Sequence, residues 1–441
     1  MERTVMNDLI KWKNKEKHKP LMLLGVRQCG KTFIVRQFGR EQFDNVAYFN
    51  FERNAALNSI FDYDFDVRRI IDELGTVVSD NKIIPGKTLL IFDEIQASSK
   101  AITSLKYFCE DMPELHVVAA GSLLGVSLKR EGTSFPVGKV DRITMYPLSF
   151  KEFVIANGYG NLISGLESMD KLREIPAIYS EPLRKHLMNY YIVGGMPEAV
   201  DTWINTHSYE EVESVQARII DDYENDFAKH APVSEIAKIR QIWHSIPEQL
   251  AKENNKFVFS HVKEGARSRD LEDALEWLID AGLVYKQRLV AKPELPLSYM
   301  ADDTSFKIFM CDVGLLRYLS NVYYRTILEG DGRYSRFKGA LTENYVLTEL
   351  VKHGLPYYYW RSNYQSEVDF LTEFKGYMIP VEVKSADNTH AKSLNSFISK
   401  YKPRYSFRIS LRNVGDNQVE DTTVYSIPLY LIWRIAEYIT D

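Results

Sequence analysis

LMLLGVRQCGKTFIVRQFG, Leu21 to Gly39, decides how the first third of the chain reads. Four apolar residues run into Gly25. GVRQCGKT, Gly25 to Thr32, then fits GxxxxGK[ST], and FIVRQFG continues with helical spacing. A strand, a glycine loop and a helix in that order make a phosphate cradle. Gly25 and Gly30 let backbone N–H groups wrap a β-phosphate at a helix N-terminus, Lys31 reaches the β- and γ-phosphates, and Thr32 ligates Mg²⁺. The plain alternative is a glycine-rich turn before a helix.

A second stretch weighs against that alternative. In TLLIFDEIQ, Thr88 to Gln96, four apolar residues run into Asp93 and Glu94, which places two acids at the C-terminal end of a buried strand. Asp93 is expected to hold Mg²⁺ through water and Glu94 to polarise the attacking water. Read structurally, the same acids would cap the next helix. A further apolar run ends in AAGS, where Ser122 is either a γ-phosphate sensor or a turn serine. Lys139 and Arg142 are candidate cations for γ-phosphate charge, in the same subunit or a neighbouring one, against the default of a charged loop. Cys29, inside the glycine loop, is either a redox-sensitive thiol or an inert one.

Short apolar runs recur at 21–25, 46–52, 88–94, 115–122 and 142–150, separated by amphipathic segments such as AITSLKYFCEDM. They read as parallel strands of an α/β domain. Residues 151–227 turn helical and tyrosine-rich, broken at VGGMPEAV by two glycines and a proline. SRDLEDALEWLIDAGLVYKQRLV, from Ser268, reads as a helix stopped at Gly282 and followed by a strand, and it resembles the third helix and wing of a winged-helix domain. Leu271, Ala274, Leu275 and Leu278 would be its core face. Asp270, Glu272, Asp273, Glu276 and Asp280 oppose phosphate contact by that helix, so a packing or lid-like role is favoured over base readout, with a wing contact through Lys286, Arg288 or Lys292 left open.

From about Gly339 the order reads αβββαβ. In SEVDFLTEFKGYMIPVEVKS, Ser366 to Ser385, period-two alternation puts Glu367 and Asp369 on one face of a strand and Glu382 and Lys384 on one face of the next. With Glu343 on the preceding helix, this resembles the PD-(D/E)xK nuclease core. In that chemistry Asp369 and Glu382 hold one or two Mg²⁺ ions, Glu343 contributes through water, and Lys384 orients the nucleophilic water or stabilises developing charge. The competing reading is a pair of amphipathic edge strands with a wet polar face. Val368 stands where the nuclease pattern has proline. YYYWRS is either a base-stacking platform or core.

The 441 residues, 45% hydrophobic and 26% charged, exceed one ordinary core, and a formal net charge of −5 excludes nucleic-acid binding by bulk charge while leaving a local basic groove open. Cys29, Cys109 and Cys311 form neither a CxxC pair nor a Cys/His cluster, so a reducing cytoplasm without disulfides or structural zinc is expected. No apolar run has the length of an export signal or membrane span.

Taken in order, KPLMLLGVRQCGKT, YFNFE, LLIFDEIQ, AAGSLLG, YPLSFKEF and YYIVGGMPEAV resemble a widespread bacterial and archaeal family of AAA-type ATPases with a restriction-endonuclease-like C-terminal domain. The resemblance implies ATP and Mg²⁺ as cofactors and the roles above for Lys31, Thr32, Asp93 and Glu94. Ser122 replaces the asparagine sensor of many AAA proteins. The expected architecture is a P-loop ATPase domain at 1–150, a helical subdomain at 151–232, a winged-helix-like domain at 233–330 and a nuclease-like domain at 331–441. The expected function is ATP hydrolysis controlling that last domain. Its candidate partners are DNA, a second protein or further copies of the chain. The alternative keeps the ATPase as a switch and makes the C-terminal domain a catalytically silent binding module.

Overall fold

The computed structural model describes residues 1–77, 83–121, 136–252, 255–330, 332–362, 366–385 and 392–440. The chain divides into two compact units, residues 1–146 with 280–283, and residues 147–279 with 284–441. The first contains α1 (Val5–Lys13), β1 (Leu21–Gly25), α2 (Lys31–Gln42), β2 (Asn45–Asn50), α3 (Val67–Val77), β3 (Thr88–Asp93), α4 (Ser99–Asp111), β4 (His116–Ala120) and β5 (Asp141–Met145). Its sheet runs β2-β3-β4-β1-β5, with every pair parallel. All six residues of β3 are buried, as a strand covered on both faces requires. The apolar run at 142–150 is strand only to Met145. Ser149 then accepts from the Glu152 amide and Glu152 reaches back to the Ser149 amide, a capping box that starts the helix Phe150–Val154.

The second unit, which opens with the Phe150–Val154 helix, includes helices α5 (Ala177–Val193), α6 (Tyr209–His230), α7 (Val233–Leu250) and nearly all of α8 (Ser268–Asp280). In α8, Leu271, Ala274, Leu275 and Leu278 are buried with Trp277, while Asp270, Glu272 and Asp273 face solvent. The hairpin β6 (Val284–Val290) and β7 (Ala301–Met310) follows, then α9 (Ser335–Lys352), β8 (Tyr358–Arg361), β9 (Glu367–Phe374), β10 (Tyr377–Val383), α10 (Lys392–Tyr401), β11 (Tyr405–Ser410), β12 (Gly415–Val419) and β13 (Thr422–Pro428). From α9 to β11 the order is αβββαβ. These strands form one eight-stranded sheet, β12-β13-β11-β10-β9-β8-β6-β7.

Two expectations change here. The wing is not a separate hairpin, because β6 pairs in parallel with β8 at Arg288–Tyr358 and Leu289–Tyr359, and its open edge is thereby satisfied inside the larger sheet. The residues on either side of 330 therefore share one sheet and one compact unit. Likewise β9 and β10 are interior strands, not wet edges. Tyr358, Tyr359 and Trp360 are buried, and Trp360 packs edge-on against Phe397 of α10 at 5.1 Å, so these three aromatics of YYYWRS are core. Among the described residues, no helix is long and apolar enough to cross a membrane.

The VGGMPEAV break has a specific cause. Asp312, buried at the start of a short helix, accepts from the Gly195 amide at 2.6 Å and the Leu315 amide at 3.0 Å. Burial pushes its carboxyl above the usual aspartate range, against the pull of those amides. Gly194 has φ 77 and ψ −165, and a Cβ there would lie 2.1 Å from Asp312 Oδ1. Only glycine enters that backbone region at low cost. Gly194→Ala is expected to destabilise the second unit by about 2–4 kcal/mol, read as a lower urea midpoint. An unchanged midpoint would mean that the turn is not held by Asp312.

Candidate functional sites

The phosphate loop is built by close approach. Gly25 ends β1, and a Cβ on it would lie 2.2 Å from the Met145 carbonyl oxygen. Gly30, at φ 95, turns the chain into α2 and leaves the first amides of that helix facing the loop. Lys31 Nζ donates to the carbonyls of Gly25 at 2.9 Å and Val26 at 2.8 Å. Cys29 is fully buried with Sγ 3.6 Å from the Met145 carbonyl, which favours the inert reading of that thiol.

Thr32, from the loop, and Asp93, from the end of β3, are brought together. Thr32 Oγ1 donates to Asp93 Oδ2 at 2.9 Å, and the Glu94 amide donates to Asp93 Oδ1 at 3.1 Å. Two adjacent hard oxygens of this kind suit Mg²⁺. Glu94 itself has a left-handed backbone, φ 52, and its Oε2 accepts from Gln96 Nε2 at 2.5 Å. Ser122 lies outside the described residues. Lys139 is ion-paired with Glu110 at 2.8 Å, and Arg142 is an exposed residue of β5.

Three contributors escaped the sequence reading. Tyr48 of β2 donates to Asp93 Oδ2 at 2.6 Å, with the Arg36 guanidinium 4.6 Å from its ring centre. Arg3 donates to the Cys29 carbonyl at 3.1 Å and the Tyr146 carbonyl at 2.6 Å. Gln96 holds Glu94. Tyr48 was signalled by its place in VAYFNFE, a polar tip on a strand beside β3, whereas a terminal arginine carries no local signal.

In the second unit, α9, β9 and β10 bring Glu343, Asp369, Glu382 and Lys384 together. The register that sets Val381 opposite Phe370 carries Glu382 to the level of Asp369. Asp369 Oδ2 accepts from the Val383 amide at 2.7 Å, and Lys384 Nζ lies 2.6 Å from Glu382 Oε1. Lys384 is 38% exposed and Glu382 only 5%. Burial, with Asp369 beside it, pushes Glu382 up to about 8 against the pull of Lys384. Burial pushes Glu343 up to about 7, with Lys307 opposing and Asp369 and Glu367 reinforcing. Burial raises Asp369 too, against Lys384 and Lys307. Among the described residues Glu382 Oε2 has no hydrogen-bond partner.

The missed residue here is Lys307 of β7, which lies 2.6 Å from Glu367 and 3.8 Å from Glu343. Its signal was a lone lysine inside the apolar run SFKIFM. Asn255 Nδ2 also donates to Glu343 Oε2 at 2.9 Å. Among the described residues, no group of three His, Cys, Asp or Glu side chains is set to hold a metal. Asp369 and Glu382 stand level on neighbouring strands, and Mg²⁺ is commonly held by one or two carboxylates with water and substrate phosphate completing the shell. The partnerless oxygen of Glu382 fits such an ion.

Residues 17–154 match the family described as an AAA domain. Two domains of unknown function match residues 184–325 (DUF8612) and 338–431 (DUF4143). A comparison with curated proteins returned no match. Among solved structures, a Walker-type ATPase of Pyrococcus abyssi is 15% identical, with 72% of this chain and 95% of that one covered at a TM-score of 0.46. The ORC2 protein of Aeropyrum pernix is 14% identical, with coverage of 74% and 91% and a TM-score of 0.38. RuvB of Thermotoga maritima is 14% identical, with coverage of 65% and 90% and a TM-score of 0.33. These overlaps are too loose to carry function. Residues 17–154, which carry the phosphate loop, thus match a P-loop domain of the AAA type.

Lys31→Ala should weaken Mg·ATP binding about a hundredfold, the loss of roughly 3 kcal/mol of charge-assisted hydrogen bonding. Calorimetric titration measures it, and unchanged affinity would remove Lys31 from the phosphate site. Glu94→Gln should bind ATP normally and hydrolyse it at least about a hundredfold more slowly; normal turnover in a phosphate-release assay would place the base elsewhere.

Proposed function

We propose that this chain is an ATP-driven switch whose nucleotide state governs a metal-dependent phosphodiester-cleaving site in its C-terminal sheet, acting on DNA. At the phosphate loop, the backbone between Gly25 and Gly30 cradles the β-phosphate and Lys31 exchanges its two carbonyl partners for phosphate oxygens. Thr32 and Asp93 hold Mg²⁺. Glu94 polarises the attacking water once it gives up the Gln96 amide.

In the C-terminal site, Asp369 and Glu382 are the residues that would hold a divalent cation, with Glu343 acting through water. Such an ion supplies Lewis acidity toward a phosphoryl oxygen. Lys384, half in solvent and paired with Glu382, is placed to orient the nucleophilic water and to meet negative charge developing on the phosphate. The observation that carries this reading is the buried, partnerless oxygen of Glu382 beside Asp369, in a cluster whose acids raise one another. A phosphodiester backbone would meet Lys384, the partly exposed cation of the cluster.

The second reading, a catalytically silent binding module, draws support from Lys307, an internal cation that already pairs with Glu367 and lies 3.8 Å from Glu343. Cleavage of linear, supercoiled and single-stranded DNA with Mg²⁺ or Mn²⁺, with and without ATP, separates the two. Metal-dependent cutting that falls at least about a hundredfold in both Asp369→Ala and Lys384→Ala is expected. Cutting that persists in both variants, or none while ATP is hydrolysed, would overturn the nuclease reading. Cutting that ignores ATP would overturn control by the nucleotide.

A further inference from the structure

A loop that offers its N–H groups to phosphate has to place the carbonyls of the same peptide groups somewhere else. At the second glycine of the phosphate loop, Arg3 receives one of them. Its Nη1 donates to the Cys29 carbonyl at 3.1 Å and its Nη2 to the Tyr146 carbonyl at 2.6 Å, so one planar fork spans the loop and the residue that follows β5. Arg3 is half-buried and stands on a fixed base. Its own carbonyl accepts from the Met6 amide at 3.0 Å, and α1, which follows, is anchored by buried Leu9 and Trp12.

The direction of that carbonyl fixes the direction of an amide. The Cys29–Gly30 peptide is trans, so its N–H points opposite to its C=O. The Cys29 carbonyl is drawn to the β5 flank of the loop, where Cys29 Sγ and the close approach of Gly25 also meet the Met145 carbonyl. In the sheet order β2-β3-β4-β1-β5, β5 lies on one side of β1, and β3, which carries Asp93, lies on the other. The Gly30 N–H is thereby turned away from β5, toward the side on which Thr32 meets Asp93. Without the fork, two carbonyl dipoles lose their donors, and the peptide group loses the contact that orients it.

We propose that Arg3 is a positioning residue of the nucleotide site, its guanidinium fork holding the Gly30 N–H toward the β-phosphate before nucleotide arrives. The inference rests on the reading of this loop as a nucleotide site and adds a residue outside the loop motif to it. The β-phosphate is held alike before and during attack at the γ-phosphate, so the effect belongs to binding: KM carries it and kcat does not. A residue that merely tethered the segment before α1 to β5 would act on the unfolding midpoint instead. A residue that acted only through its positive charge would be replaced without loss by lysine.

The test follows phosphate release, calorimetric Mg·ATP affinity and the unfolding midpoint in the full-length chain. Arg3→Ala is expected to raise KM and the dissociation constant about tenfold without lowering kcat. Arg3→Lys, which keeps the charge and gives up the fork, is expected to raise KM about threefold. An unchanged KM in a folded Arg3→Ala, or a fall in kcat with KM unchanged, would overturn this inference and leave the nucleotide reading standing. So would an Arg3→Lys protein with the KM of the unaltered chain, since charge alone would then suffice. No Mg·ATP binding by the unaltered chain would overturn the nucleotide reading and this inference with it. Should Arg3→Ala not fold, Arg3→Lys decides on the same readings.

Discussion

A carboxylate taken out of water must have a cation or a proton beside it, and the C-terminal sheet is organised around that requirement. Lys307 of β7 reaches Glu367 of β9 and Glu343 of α9. The hairpin that reads as an independent wing thus supplies a charge that the αβββαβ unit needs. Its backbone pairing with β8 and its buried ammonium tie the two parts of the sequence into one sheet. Separating them would leave the half-buried Glu343 and Glu367 without their lysine. At Glu382 the same requirement is met by Lys384 through Oε1, while Oε2 has no hydrogen-bond partner among the described residues.

The phosphate loop handles its charges in the opposite way. Lys31 is satisfied by two backbone carbonyls of its own loop, and Asp93 by the hydroxyls of Thr32 and Tyr48. These are neutral partners. Each ion-to-dipole contact can be exchanged for phosphate or metal at modest cost, since hydrogen bonds are traded and no opposite charge is stranded. Glu94 is held by the neutral amide of Gln96 on the same terms. The phosphate loop is thus satisfied by neutral partners, whereas the C-terminal cluster is held by internal ion pairs to Lys307 and Lys384.

Much of this was legible in one dimension because it depends on local chemistry. GVRQCGKT and TLLIFDE sit where a strand ends and a loop begins, and period-two alternation in EVDF and VEVKS is enough to place Glu367, Asp369, Glu382 and Lys384 on shared faces. The glycines of VGGMPEAV announce a turn. What they do not announce is Asp312, more than a hundred residues later, whose carboxylate occupies the space a Cβ at Gly194 would need.

By itself, then, the sequence determined the nucleotide loop, the acids at the end of β3, the core face of α8 and the αβββαβ order, since each follows from spacing along a single element. Only the tertiary structure decided that β6 and β7 join the C-terminal sheet, that Tyr358, Tyr359 and Trp360 are core, that Tyr48 holds Asp93 while Arg3 braces the phosphate loop, and that Lys307 sits among the acids. Strand partners and buried ion pairs are fixed by which distant segments can satisfy one another's edges and charges. A lysine in SFKIFM carries no mark of the glutamates it will meet until the sheet has closed around it.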